Sequence, residues 1–171
     1  MPQVFVGIGS NVERDASIRA GVADLRAHYG ELRLSSVYES EAVGFVGDAF
    51  YNLVAGFDTE EPIDTVADVL TAIEDRNGRR RGSGKFTPRT LDLDLLLYGD
   101  EVVTTARFHV PRDEILRYAF VLWPLAEIAP ALRHPQTGES FAQLWEKFDK
   151  RGPALGPVPF SWQVDVDSRE G

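Results

Sequence analysis

Cysteine is absent from the 171-residue chain. That excludes disulfides and thiolate metal sites. Histidine is scarce: His28, His109 and His134 lie far apart, without the spacing of a zinc site. Carboxylates are left as the natural holders of any metal, and they suit a hard ion such as magnesium. No apolar run approaches the length of a membrane span. The N-terminus, "MPQVFVGIGSN", has no basic region ahead of a long apolar stretch and so lacks a signal-peptide pattern. Positive charge is in deficit, with 18 Lys and Arg against 27 Asp and Glu and a net charge of −9. Such a field disfavours nucleic acid and anionic membranes as partners. An anion site has to come from locally concentrated cations. The Walker A pattern, internal repeats and low-complexity tracts are also missing. The expectation is a cytoplasmic protein that uses neither nucleic acid nor membrane.

What is present is ordinary globular material, 43% hydrophobic and 26% charged, enough for one core. One domain over 1–171 is expected, with an extended, Pro- and Gly-rich tail over 150–171. "QVFVGIGS" alternates Val4, Val6 and Ile8 and predicts a strand ending at a Gly-Ser-Asn turn. Ile18, Val22, Leu25 and Tyr29 fall at helical spacing, with Gly30 as the stop. "LRLSSVYES" and "FYNLVAGFDT" predict two further strands. Pro62 opens a second helix, striped by Ile63, Val66, Leu70 and Ile73, with Gly78 as its stop. "EVVTTARFHV" is expected to be an extended partner of the strand before it, in "RTLDLDLLLYGD", "YAFVLWPLAEIAP" to be buried, and "SFAQLWEKFD" to be a short helix. The order strand, helix, strand, strand, helix, strand predicts an α+β fold, helices packed on a largely antiparallel sheet.

The stretch "RTLDLDLLLYGD", Arg89 to Asp100, carries two carboxylates in a leucine strand. Strand alternation assigns Leu91, Leu93, Leu95 and Leu97 to one face and Asp92, Asp94, Leu96 and Tyr98 to the other. Asp92 and Asp94 then point the same way, with Cα atoms roughly 6.5 Å apart. Like charges that close repel, and a divalent cation relieves the repulsion. Spacing alone leaves two readings, a solvated strand end or a metal site. Leu96 and Tyr98 on the same face favour a rim where a site forms. Just upstream, Arg76, Arg79, Arg80, Arg81, Lys85 and Arg89 make a cationic island with no acidic residue among them. Cations running into paired aspartates suit a nucleoside triphosphate. A solvated basic loop is the plainer alternative. Asn52, an amide in an apolar strand, either recognises a heterocycle or is satisfied by neighbours. His109, with Arg107 and Arg112 flanking it, either faces phosphates or water.

Taken together, "IGSN", "YES…VG…FYN", "GRRRG…PRTLDLDLLLYGD", "VPRDEILRYAFVLWPLAEIAP" and "HPQTG" resemble the 6-hydroxymethyl-7,8-dihydropterin pyrophosphokinases of folate biosynthesis. The resemblance runs from Val4 to Trp145 and leaves out the tail. It implies a ferredoxin-like βαββαβ core and transfer of the β,γ-pyrophosphoryl unit of ATP to the hydroxymethyldihydropterin, with release of AMP. It implies two magnesium ions on Asp92 and Asp94. Arg79 and Arg89 would assist transfer. Arg81, Leu95, Arg107, His109, Arg112 and Tyr118 would contact ATP. Ser40, Val43, Phe50, Asn52, Phe86 and Phe120 would border the pterin, Asn52 on its edge and Phe120 on its face. The chain departs from the family where "SEAVG" replaces a proline-rich turn. It departs again at Phe86, where Trp is common, at Arg112, where His is common, and at Tyr118, where Arg is common. Two alternatives stand beside this reading: a pyrophosphokinase for another hydroxymethyl pterin, and a non-catalytic ligand-binding module of the same fold.

Overall fold

The structure is a computed structural model that describes residues 1–40, 49–77, 91–152 and 154–162. In chain order the elements are β1 (Gln3–Ser10), α1 (Arg14–Tyr29), β2 (Arg33–Leu34), β3 (Val37–Ser40), β4 (Phe50–Asp58), α2 (Ile63–Asn77) and β5 (Asp92–Tyr98). Then follow β6 (Val103–Thr104), β7 (His109–Val110), α3 (Glu114–Arg117), α4 (Ala119–Ile128), α5 (Phe141–Glu146) and β8 (Leu155–Val158). The main sheet runs β5-β1-β4-β3-β8, with β2 also on β4, and every pairing in it is antiparallel. It is a mixed helix and antiparallel-sheet fold. No described helix is long and apolar enough to cross a membrane.

Local sequence accounts for the first layer. Val4, Val6 and Ile8 alternate on β1 and are buried against Ile18, Val22 and Leu25 of α1 and Val66, Leu70 and Ile73 of α2. Gly30 ends α1 at φ 82°, a left-handed position that favours glycine, and its N–H donates to the Arg26 carbonyl at 2.8 Å. Pro62 stands just before α2, and its carbonyl accepts from Val66 N–H at 3.1 Å. The Glu61 carboxylate beside α2 accepts from the Tyr29 hydroxyl at 2.8 Å and meets His28 Nε2 at 2.7 Å, joining the two helices. Burial first, and Glu61 second, push the Tyr29 hydroxyl well above the usual phenol range. On the other face of the sheet, Phe5, Val54, Leu96 and Leu97 pack under Ile115, Val121, Leu122, Leu125, Phe141 and Leu144.

Three sequence expectations are corrected. "LRLSSVYES" is not one strand but two, β2 and β3, both on β4. At the break Ser35 N–H donates to the Val54 carbonyl, while Val54 N–H donates to the Ser35 hydroxyl, each at 2.9 Å. A side chain thus stands in for a ladder carbonyl. "EVVTTARFHV" is not a strand partner of β5: β6 and β7 pair with each other in a separate two-stranded sheet. The alternation assigned to β5 also breaks. Val6 pairs with Leu95 but Phe5 with Leu97, so β5 carries one extra residue there. The bulge sends both Leu96 and Leu97 to the α4 side and returns Tyr98 to the α1–α2 side.

The turn before α5 generates a prediction. His134 is buried, and its Nδ1 accepts from the backbone N–H groups of Gln136 and Thr137 at 3.1 and 3.3 Å. Burial holds its pKa below the ordinary 6.5. The unfolded chain therefore binds the imidazole proton first. Stability is full above 6.5 and falls as pH drops through that value toward the lower folded one. Urea unfolding at about pH 8 and about pH 5 should show this acid loss, and it should flatten in His134→Gln.

Candidate active site

The register across three strands builds the floor of the site. Gly9 on β1 pairs with Asn52 on β4 and with Asp92 on β5. Gly7, one pleat away, pairs with Val54 and with Asp94. Asn52, Gly9 and Asp92 thus form one row, and Val54, Gly7 and Asp94 the next, on the face opposite α1 and α2. Strand spacing sets Asn52 and Asp92 roughly 10 Å apart across the row. Only glycine stands between them. A Cβ on Gly9 would meet the Asn52 Oδ1 at 2.8 Å, so the amide lies over β1 because that position has no side chain.

Above this floor opens a cleft of about 1560 Å³. Its walls include Ser40, Phe50, Asn52, Asp92, Asp94, Arg112, Tyr118 and Phe120. Asn52 is buried, and its Nδ2 donates to the Ser40 hydroxyl at 3.2 Å. Phe120, the second residue of α4, lies nearly parallel to Tyr118 at 5.1 Å between ring centroids, and both rings are exposed at the cleft. Arg112 stands beside Asp94 at 3.6 Å and Glu114 at 3.1 Å. Its Nε is in ionic contact with Glu114 but is not aligned for a hydrogen bond. Its backbone N–H donates to the Leu96 carbonyl at 3.0 Å. From α2, the Glu74 carboxylate accepts from Leu93 N–H at 2.7 Å, between the two aspartates on the outer edge of β5.

The cleft therefore gathers eight residues singled out from the sequence, and others stand elsewhere. Leu95 is buried in the α1–α2 core and does not line the cleft, because alternation turns it away from Asp94. Arg107 donates to Asp68 of α2 at 2.7 Å. His109 bonds Thr104 Oγ1 through Nδ1 at 2.7 Å and Asp113 through Nε2 at 3.1 Å. Neither lines the cleft, although β7 packs beside β5. Val43, Arg79, Arg81, Phe86 and Arg89 lie outside the described residues. Among the described residues no three His, Cys, Asp or Glu side chains cluster as a metal site.

Sequence reasoning missed the glycine floor, although glycines at alternate positions after "QVFV" were a readable signal. It also missed Glu74, Arg117 and the wall supplied by α5 and the tail. Arg14 was missed as well. It donates to the Ala49 carbonyl at 2.7 Å and pairs with Glu39 at 2.8 Å, tying α1 to β3 and to the start of β4. No local pattern announces such contacts.

A family model for 7,8-dihydro-6-hydroxymethylpterin-pyrophosphokinase (HPPK) matches residues 5–130. The chain belongs to this family. Among HPPK relatives, the 2-amino-4-hydroxy-6-hydroxymethyldihydropteridine pyrophosphokinase of Pseudomonas aeruginosa is 39% identical over 138 residues, which cover 78% of this chain and 84% of that one. The enzyme of the same name from Aquifex aeolicus is 34% identical over 137 residues, covering 79% and 85%. In fold, the chain is similar to Plasmodium falciparum HPPK-DHPS crystallised with pteroate, at a TM-score of 0.64 and 12% identity. That match covers 85% of this chain and 42% of the longer one.

The HPPK floor makes a direct prediction. Gly9→Ala puts a methyl group against Asn52 Oδ1 and pushes the amide off Ser40. Stability should fall by about 1–3 kcal/mol, and the Asn52 side-chain amide resonances should shift. An unmoved Asn52 signal with unchanged stability would contradict the geometry.

Proposed function

We propose that the cleft carries out ATP-dependent pyrophosphoryl transfer to 6-hydroxymethyl-7,8-dihydropterin, with AMP as the second product, a step of folate biosynthesis. The observation that carries the reading is the row Asn52–Gly9–Asp92. An amide that can read a heterocycle stands across a bare glycine from a carboxylate pair, on one open face. A flat bicyclic ring suits the space between Asn52 and the exposed Phe120 face, since aromatic rings prefer offset stacking. Asn52 offers a donor and an acceptor to the pterin edge, with Ser40 and Phe50 bordering the ring. The hydroxymethyl group then projects along the floor toward Asp92 and Asp94.

The aspartates fit a magnesium site that substrate completes. Magnesium is usually held by one or two carboxylates plus substrate phosphates, so a third protein carboxylate is not needed. Asp92 and Asp94 would hold the two expected ions between them. When bound, the ions supply Lewis-acid neutralisation of the triphosphate. In the transfer, the hydroxymethyl oxygen bonds to the β-phosphorus. The bond from that phosphorus to the α,β-bridging oxygen breaks, AMP leaves with the oxygen, and the proton of the hydroxymethyl group is released to solvent. Positioning and charge neutralisation account for the rate. Arg112, beside Asp94, and Tyr118 are assigned to the nucleotide side, with Arg107 and His109 on the neighbouring hairpin. Family resemblance supports Arg79 and Arg89 as assisting transfer, Arg81 as a phosphate contact, and Val43 and Phe86 as pterin neighbours. Leu95, from inside the core, can support the nucleotide side only through its backbone. The strand order β5-β1-β4-β3 supports naming the core ferredoxin-like. A single pyrophosphokinase domain and a cytoplasmic location go with the same reading.

The test is AMP release from ATP, magnesium and the hydroxymethyldihydropterin. Asp92→Ala and Asp94→Ala should each lower turnover by about a hundredfold or more, with the thermal melt retained. Normal turnover in both variants would sink the assignment.

A further inference from the structure

The acceptor side of the cleft has a support that lies beyond residues 5–130, the stretch matched to the family. Asn52 takes its orientation from Ser40, and Ser40 is the last residue of β3. On the β4 side, β3 is held by only three paired positions: Tyr38 with Asn52, Glu39 with Tyr51, and Ser40 with Phe50. A strand that short, left as a sheet edge, frays from its end. β8 removes that edge. It pairs along all of β3, from Val37 with Val158 to Ser40 with Leu155. Leu155 also lines the cleft, so its pairing with Ser40 puts a tail residue into the acceptor wall.

The segment is anchored on the opposite face of the sheet. Phe160 packs edge-on against Tyr51 at 5.9 Å between ring centroids. The Arg19 guanidinium of α1 lies 5.2 Å from the centre of the Phe160 ring, and its Nε donates to the Ser161 carbonyl at 2.7 Å. The chain thus passes from the cleft wall at Leu155, along β3, to α1. Asp92 and Asp94 are at the far side of the sheet, with β1 and β4 between them and β3.

We propose that residues 154–162 brace the acceptor half of the site, with Leu155 and Phe160 as positioning residues. The brace holds β3 so that Ser40 presents its hydroxyl to Asn52, and Asn52 presents its amide in one orientation. Its loss weakens recognition of the pterin and leaves the nucleotide side alone.

This inference rests on the proposed activity, so its readouts are chosen to separate the two. Amide hydrogen exchange at 38–40 is measured on the ligand-free protein, and calorimetric affinities are measured for the hydroxymethyl pterin and for magnesium-ATP. The samples are the full chain, Phe160→Ala, Phe160→Tyr and a chain ending at Gly152. Phe160→Ala and the shortened chain should exchange faster at 38–40. They should bind the pterin about five- to tenfold more weakly, the scale of one lost hydrogen bond, with ATP affinity unchanged and Phe160→Tyr restored. Unchanged exchange and pterin affinity in both would overturn the brace. An equal loss of ATP affinity would also overturn it, since that marks general loosening. If the full chain binds no pterin, the proposed function falls and the substrate half of the inference with it, while the exchange result still decides whether the brace exists.

Discussion

The site depends on one register. Gly9 has to stand opposite both Asn52 and Asp92 for the amide and the carboxylates to share an open floor. The apolar residues on the other side of β1 enforce it. Val4, Val6 and Ile8 are buried against α1 and α2, and a slip of one residue would turn all three toward the cleft. The hydrophobic effect, acting on one face of the strand, therefore sets polar geometry on the other. Glycine at alternate positions leaves the floor of the cleft without side chains, and the burial of Val6 and Ile8 offsets the backbone freedom that glycine adds.

The bulge in β5 solves a second problem. A strand that carries two carboxylates on one face cannot also bury that face. Up to Leu95 the alternation keeps Asp92 and Asp94 on the cleft side and leucines in the core. After the bulge, Leu96 and Leu97 both pack beneath α4 and fix the strand from that side. The aspartates stay at the wet end. Asp94 keeps 49% of its side-chain exposure, and its contact with Arg112 is at 3.6 Å. A half-exposed pair at that distance contributes little, about 1 kcal/mol or less. Arg112 thus tempers the local negative charge of the carboxylates without sealing them from solvent.

Much of this was legible in the sequence. The periodicity of α1 and α2, the strand alternation of β1 and the shared face of Asp92 and Asp94 all follow from local pattern, because each element buries one stripe or face. Asn52 was legible as an anomaly, an amide inside an apolar run. Its partner was not, since Ser40 belongs to another strand and only pairing brings them together. The bulge was invisible for a related reason: "LDLDLLLY" reads as unbroken alternation until β1 is laid beside it. The hairpin β6–β7 looked like a partner of β5 because short extended segments carry no mark of the strand they pair with. The cleft walls from α5 and the tail depend on long-range packing, to which local propensity is blind.

Charge completes the account. A chain of net charge −9 repels a triphosphate at long range, and steering by the overall field is closed to it. Beyond about 8 Å at physiological salt, that repulsion is largely screened. What a bound phosphate meets is the local wall. Among the described residues, the charged side chains of the cleft are Arg112, Arg117, Lys147 and Lys150 against Asp92, Asp94, Glu114 and Asp149. The cleft is thus balanced within a strongly acidic protein. Any cation held beside the aspartate pair would tip that local balance positive. The acidic remainder of the chain is then compatible with anionic substrates, because affinity is decided inside the screening length.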